Sequence, residues 1–130
     1  MKTTITLILF LQTCFLLAQT TRYVNQNVPG GLQNGSSWEN AFPDLQQALA
    51  IAQAGDTIWV AAGTYMPTPN GDRSSSFWLI SATVLYGGFN GTETAFTQRN
   101  PVANPTILSG EMALPASATT IPTTWYGAGD

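Results

Sequence analysis

The sequence predicts a mainly β protein in which one helix leads into a solenoid of short, stacked parallel strands. Three observations carry this prediction: an alanine-rich amphipathic segment at residues 43–54, a weak β-like repeat after it, and the lack of a second helical pattern between the repeats. Strands that return at a steady spacing without crossover helices suit a coil that winds once per period.

The helix is predicted over Pro43–Ala54, with the sequence PDLQQALAIAQA. Its apolar residues follow the i, i+3, i+4, i+7 spacing of one helix face, namely Leu45, Ala48, Leu49 and Ala52. Pro43 suits the first turn, and Asp44 complements the positive end of the helix dipole. Gly55 is placed to end the helix in a left-handed conformation.

The repeat consists of three segments that begin with threonine and a β-branched residue: Thr57–Ala61, Thr83–Gly87 and Thr106–Gly110. Their starts are 26 and 23 residues apart, which is within the range of roughly 20–50 residues typical of repeat architectures. Equivalent positions align in a solenoid, so we expect an inward aliphatic ladder and small residues at the corners. The ladder would be Ile58, Val84 and Ile107, and the corners Ala61, Gly87 and Gly110.

Further strands are predicted at Arg22–Asn25 and Ser76–Ile80, and the helix is expected to cover the open end of the first coil. A small antiparallel sandwich with a leading helix is the alternative that three weak repeats leave open.

Residues 1–19 have the layout of a secretory signal peptide, with Lys2 before an apolar run that ends near Ala18. The run is shorter than the roughly 20 apolar residues that a membrane-spanning helix needs. Cys14, the only cysteine, lies inside it. We therefore expect an exported chain of residues 20–130 without disulfides, and no transmembrane helix after cleavage.

The charge pattern excludes several classes of function. Residues 20–130 contain three arginines, seven carboxylates, no lysine and no histidine. A chain without a basic stripe is not expected to bind nucleic acid, and the lack of histidine removes the commonest general base and metal ligand. Serine triads, cysteine–histidine dyads and histidine zinc sites are therefore excluded within this chain.

Three stretches carry a resemblance to a known family: GSSWENAFPDLQQALAIAQAGDTIWVAAGTYMPT, VLYGGFNGTETAFTQRNP and NPTILSGE. They resemble the amino-terminal part of exported bacterial right-handed parallel β-helix proteins of the pectin-lyase-like superfamily. The resemblance covers residues 23–111 and implies a right-handed parallel β-helix with an amino-terminal capping helix, which in the family continues for many more coils. This chain departs by stopping after about three, which predicts a truncated β-helix. Members include polysaccharide lyases, glycoside hydrolases and noncatalytic surface proteins, and their catalytic and calcium-binding residues lie on later coils.

The remaining candidates for chemistry are carboxylates, an oxygen-rich loop and aromatic rings. Glu93, Arg99 and Glu111 could act together in glycan cleavage, although a surface pair between Arg99 and Glu93 is the structural alternative. Asn70, Asp72 and Ser74 are the only local cluster of calcium-type oxygen ligands, but their spacing matches no known calcium loop and favours a polar excursion between strands. No cofactor is evident, and calcium is an option only for the parent protein.

Exposed aromatic rings are typical of sugar-binding surfaces because they stack on the apolar faces of pyranose rings. Trp59, Trp78 and Tyr86 are the predicted glycan contacts, whereas Trp38 is expected to pack on the helix. We therefore expect a secreted or cell-surface capping segment, itself noncatalytic, in a parent that binds polysaccharide or acts in adhesion. The alternative is a fragment of a polysaccharide lyase or glycoside hydrolase whose catalytic coils follow residue 130.

Overall fold

The computed structural model describes residues 18–70, 72 and 74–110. Along the chain lie strand β1, helix α1, four further strands and a single 3-10 turn between the last two of them. Their bounds are β1 Thr21–Val24, α1 Leu45–Ile51, β2 Thr57–Ala61, β3 Gly63–Tyr65, β4 Val84–Phe89, the 3-10 turn Phe96–Gln98 and β5 Thr106–Leu108. The predicted signal peptide up to residue 17, including Cys14, and the candidate Glu111 lie outside the described residues.

The strands form two short parallel sheets. The first has three strands in the order β1-β2-β4, and the second pairs β3 with β5. Tyr23 of β1 lies opposite Trp59 of β2, which in turn lies opposite Tyr86 of β4. A register shift between Trp59 and Ala61 then brings Phe89 opposite Ala61. Because partners in register point to the same side of a sheet, the three aromatic residues share one face.

The opposite face of the three-stranded sheet carries the aliphatic core. Val24, Ile58 and Val60 are fully buried there, and they pack in one cluster with α1 residues Leu45 and Leu49. The helix begins because the Asp44 carboxylate accepts a hydrogen bond from Gln46 N at 2.9 Å, which satisfies one of the free amides of the first turn.

The two edges of this sheet differ. Along β1, the segment of residues 35–42 covers the edge: Tyr23 N donates to Gly35 O, Phe42 N donates to Tyr23 O, and Asn25 N donates to Phe42 O. Along β4, residues 99–106 cover the second half of the strand, where Asn100 N donates to Gly88 O at 2.7 Å and Gly88 N donates to Thr106 Oγ1 at 3.0 Å.

The predicted right-handed parallel β-helix with a capping helix is wrong. The molecule is small and has few strands, 24% of it strand and 11% helix, arranged in two short sheets rather than as a solenoid. The antiparallel sandwich is wrong as well, since every pairing between the described strands is parallel.

The third sequence repeat shows why the solenoid prediction failed. Thr106 contacts the second repeat but does not pair with it as a strand; its register partner is Gly63 in the other sheet. Its hydroxyl is held between β2 and β4, because its single hydrogen is shared between Val60 O and Ala61 O, each at 3.2 Å, and its oxygen accepts from Gly88 N. The three segments of the sequence repeat therefore pair with different strands.

The predicted aliphatic ladder and one of the three predicted corners are consequently wrong. Ile58 is buried, but Val84 lies opposite Thr57 and is 44% exposed, and Ile107 lies opposite Thr64 and is 51% exposed. Gly87 lies within β4 rather than at a corner, and Ala61 and Gly110 are at or beyond strand ends.

Two other predicted elements differ in extent. The helix is present but shorter than Pro43–Ala54 at both ends, because Asp44 is its extended N-cap, which leaves Pro43 outside the first turn, and Ala52 is already extended. Gly55 has a φ of +92° and makes the turn into β2 rather than ending the helix. Residues 76–80, predicted as a strand, have no regular structure. Among the described residues, no helix is long and apolar enough to span a membrane.

Candidate functional site

The outward face of the three-stranded sheet carries a cluster of six aromatic rings. We call Tyr23, Trp38, Trp59, Tyr86, Phe89 and Phe96 the aromatic cluster. The sheet register supplies its central row, since Tyr23, Trp59 and Tyr86 lie side by side on neighbouring strands. Tyr23 meets Trp59 edge-on, with 5.6 Å between the ring centroids.

Two further rings, those of Phe89 and Trp38, pack against this row. Phe89 is fully buried and stacks on Trp59 at 4.6 Å, with an angle of 10° between the ring planes. Trp38 meets Tyr23 edge-on at 4.9 Å, and its indole Nε1 donates to the carbonyl oxygen of Glu93 at 2.9 Å. Trp38 therefore packs in the aromatic cluster and not on α1 as predicted.

The outer end of the row is open to solvent. Phe96 is 41% exposed, and its centroid lies 4.7 Å from that of Tyr86 and 6.1 Å from that of Trp59. The Arg99 guanidinium carbon lies 5.4 Å from the Phe96 centroid and 5.6 Å from the Tyr86 centroid, which is within cation–π range. This end thus offers apolar rings and a cation together.

Arg99 is positioned by the backbone rather than by a carboxylate. Its Nε donates to Gly87 O at 2.9 Å, which fixes the guanidinium to β4. Among the residues that the structure describes, the only ion pair joins Arg22 to Asp56. The predicted surface pair between Arg99 and Glu93 is therefore wrong.

Glu93 is a buried structural carboxylate. It is 7% exposed and accepts hydrogen bonds from Asn90 N, Gly91 N and Thr92 N at 2.6, 3.0 and 3.1 Å. These three bonds tie the loop after β4 into one conformation. Because its oxygens are committed to the backbone, Glu93 is not presented for the glycan cleavage considered above, and the structure does not place Arg99 beside it.

The 3-10 turn that carries Phe96 is held by one side chain. Gln98 Oε1 accepts from Thr94 N at 2.7 Å and from Ala95 N at 2.9 Å. Thr97, between Phe96 and Gln98, is exposed. The position of Phe96 at the sheet face therefore depends on a hydrogen-bonded loop and not on a strand.

Two shallow grooves of about 410 and 420 Å³ lie at the Trp38 end of the aromatic cluster. Both are lined by Trp38, Glu39 and Gly91. The first continues along Asn25 and Pro29, and the second continues along the buried Glu93 loop. Polar groups for hydrogen bonding therefore flank the rings at this end.

The three aromatics predicted as glycan contacts are not all brought together. Trp59 and Tyr86 are register partners in the aromatic cluster. Trp78 lies in the irregular segment after residue 75, where it is 79% exposed and contacts none of the rings of the cluster. Its neighbour Phe77 packs against the aliphatic core.

Sequence reasoning missed Tyr23, Phe96 and the role of Arg99 beside them. A signal for Tyr23 was present, since Thr21–Val24 and Thr57–Val60 are TRYV and TIWV, which share threonine, an aromatic residue and valine at the same offsets. No comparable signal marks Phe96, because the loop that carries it has no period.

The oxygen-rich loop forms a turn. Asp72 Oδ1 accepts from the backbone amide and the hydroxyl of Ser74, at 2.9 and 2.7 Å, and these bonds lower the pKa of this exposed carboxyl. Within the described ranges, no group of three histidine, cysteine, aspartate or glutamate residues is placed to hold a metal ion.

Comparison with known proteins gives no match. No protein-family model, no curated protein and no solved structure matches the chain. The resemblance to the pectin-lyase-like superfamily therefore stays a prediction about identity, while the fold that it implied is corrected above.

Proposed function

We propose that the chain is an exported, noncatalytic binding module that holds a polysaccharide against the aromatic cluster. The observation that carries this proposal is the row of Tyr23, Trp59 and Tyr86, extended into solvent by Phe96. Rows of partly exposed rings suit a polymer of pyranose rings, because each sugar presents an apolar face to one aromatic ring.

Polar groups at both ends support the same proposal. The free end of the Arg99 guanidinium can donate to sugar hydroxyl or ring oxygens at one end of the row. At the other end, the grooves beside Trp38 present Glu39 and Asn25 as hydrogen-bonding partners. A ligand that combines apolar faces with many hydroxyl groups satisfies both features.

Composition and the placement of the carboxylates favour binding over cleavage. Glycoside hydrolysis requires two available carboxylates across the scissile bond. Asp56 and Glu93 are the buried carboxylates among the described residues, and both are engaged in hydrogen bonds that build the fold. We accordingly assign the chain a role in attachment to glycans, outside the cell or at its surface.

Affinity gel electrophoresis tests this proposal. The purified chain is run through gels that contain a soluble β-glucan, a xylan or polygalacturonate, and retardation measures the dissociation constant. We expect retardation by at least one of the three polymers. Tyr86→Ala and Phe96→Ala should each weaken binding about fivefold, since removing one ring contact costs on the order of 1 kcal/mol.

Trp78→Ala is the matched control, because it removes a large exposed ring that lies away from the aromatic cluster. Its retardation should equal that of the unaltered chain. Migration that none of the three polymers slows would refute polysaccharide binding. Loss of retardation in Trp78→Ala but not in Tyr86→Ala would move the binding surface away from the aromatic cluster.

A further inference from the structure

The residue before β1, Thr20, is hydrogen-bonded to the buried carboxylate of Asp56. Thr20 N donates to Asp56 Oδ1 at 3.3 Å, and Thr20 O accepts from Thr57 N at 2.9 Å. Both backbone groups of Thr20 are therefore fixed, although the residue itself is exposed. Residues 18 and 19 before it are exposed as well and belong to no helix or strand.

The two carboxylate oxygens of Asp56 accept different numbers of hydrogen bonds. Oδ2 accepts from Arg22 Nε and from Gln53 N, both at 3.0 Å. Oδ1 has the 3.3 Å bond from Thr20 N, the longest of the three. Because an ionised carboxylate can accept about four hydrogen bonds, and this one is only 4% exposed, Oδ1 has capacity for a stronger donor.

We propose that removal of residues 1–19 creates this donor: the new α-ammonium group of Thr20 pairs with Asp56 and tightens the fold. Hydrolysis of the bond between Gln19 and Thr20 consumes one water, leaves a carboxylate on Gln19 and an amine on Thr20, and the amine takes up a proton at neutral pH. A neutral amide donor thereby becomes a cation with three donors at the same position.

The local charges favour this pairing. Asp56 on the turn before β2 and Arg22 on β1 are the charged side chains that the described structure places at this position. Arg22 occupies the opposite oxygen, Oδ2, so the two cations approach the carboxylate from different sides. The ordering cost is low, since Thr57 N already holds the carbonyl group of Thr20.

The consequence is that processing changes stability as well as length. In the precursor, Thr20 N gives Asp56 only a neutral hydrogen bond. The processed chain gains an ion pair that joins the beginning of β1 to the turn after α1. This inference concerns the amino terminus and does not depend on the proposed binding of polysaccharide.

The test compares two forms of the chain that begins at Thr20, one with a free α-amino group and one with an acetylated amino group. Acetylation removes the charge and leaves the sequence unchanged. Circular dichroism should give a melting temperature about 4–8 °C higher for the free amine at pH 6, a shift typical of one partly buried interaction in a small domain.

The shift should depend on pH with a defined sign. Pairing with Asp56 raises the folded-state pKa of the amine above its usual 7.7–8.0 or so. The added stability is therefore fully present below about pH 7.7 and disappears as the pH rises through the folded-state pKa, so the two forms should melt together at pH 10.5. In Asp56→Asn the two forms should melt together at pH 6 too.

Two measurements keep the inference testable if Asp56→Asn fails to fold. The rate at which the amine of the unaltered chain is acylated, followed against pH, should report a raised pKa, and an unshifted pKa would overturn the pairing. Amino-terminal sequencing of the exported protein should find Thr20 first, and a different first residue would show that export does not create this ion pair.

Discussion

The two faces of the three-stranded sheet are built from the same strands and differ in chemistry. On one face Val24, Ile58 and Val60 are fully buried beneath α1. On the other, Tyr23, Trp59 and Tyr86 remain partly exposed under loops rather than under a helix. Alternation along each strand is sufficient to produce both faces.

Because of this difference, we expect the aliphatic face to contribute to stability and the aromatic face to ligand binding. An aliphatic face that a helix closes can only stabilise the fold, since nothing outside reaches it. The aromatic face is covered at one end by Trp38 and left open at the other by Phe96. Substitutions on the first face should therefore alter the free energy of unfolding, and substitutions at the open end of the second should alter binding.

The largest expected effect is on the closed face. Ile58→Ala removes a fully buried side chain from the centre of the core, and we expect the free energy of unfolding to fall by about 3 kcal/mol. Urea unfolding followed by circular dichroism measures it. Ile107→Ala, at a 51% exposed position, is the control and should cost less than about 1 kcal/mol; equal losses would contradict the assignment of the core.

The next effect concerns the carboxylate at the margin of the closed face. Burial of Asp56 would by itself raise its pKa, but hydrogen bonds from Gln53 N, Arg22 and Thr20 N outweigh burial and hold the pKa below its usual value. Asp56→Asn leaves Arg22 without its partner, and we expect a loss of about 2 kcal/mol at pH 7.

The pH dependence of this pair has a definite sign. A carboxyl whose folded-state pKa is depressed contributes stability that is present above its unfolded pKa, about 3.9, and is lost as the pH falls through the folded-state value. Urea unfolding between pH 2 and pH 7 should show this loss in the unaltered chain and a smaller one in Asp56→Asn. Identical slopes in the two proteins would mean that other carboxyls cause the acid sensitivity.

A smaller effect should change both the free energy of unfolding and the affinity for polysaccharide. Glu93→Gln replaces a carboxylate that accepts three backbone amides, and it should cost about 1–2 kcal/mol. The loop also holds Trp38 through the Glu93 carbonyl group, so polysaccharide affinity should fall as well. Glu39→Gln is the matched control for stability because Glu39 is exposed, and its free energy of unfolding should be unchanged within about 0.5 kcal/mol.

Local elements could be predicted from the sequence where local chemistry determines them. The helix follows from its apolar stripe, and the strand predicted at Arg22–Asn25 lies at Thr21–Val24. The partner of each strand could not be predicted in the same way. Thr106 begins a segment that resembles the earlier repeats, yet its hydroxyl group bonds Val60 and Gly88 and places β5 in the other sheet.

Some residues of the candidate site could likewise be predicted from the sequence, and others could not. Trp59 and Tyr86 were predicted because aromatic residues on strands stand out in the sequence, and pairing makes them neighbours. Trp78 was predicted for the same reason, but no strand forms around it. Phe96 and Arg99 reach the site through a loop whose shape depends on hydrogen bonds to Glu93 and Gln98, which no sequence period reveals.

The smallest expected change in stability tests whether that loop prepares the open end of the aromatic face. Gln98→Ala removes the acceptor for Thr94 N and Ala95 N at an exposed position, so unfolding should become easier by less than about 1 kcal/mol. Affinity for the retained polysaccharide should nevertheless fall about threefold, since Phe96 must then be ordered when the ligand binds. Thr97→Ala, in the same turn, should change neither quantity. If Gln98→Ala binds like the unaltered chain while Phe96→Ala does not, the ring contributes contact area alone, and the hydrogen bonds of the loop have no part in recognition.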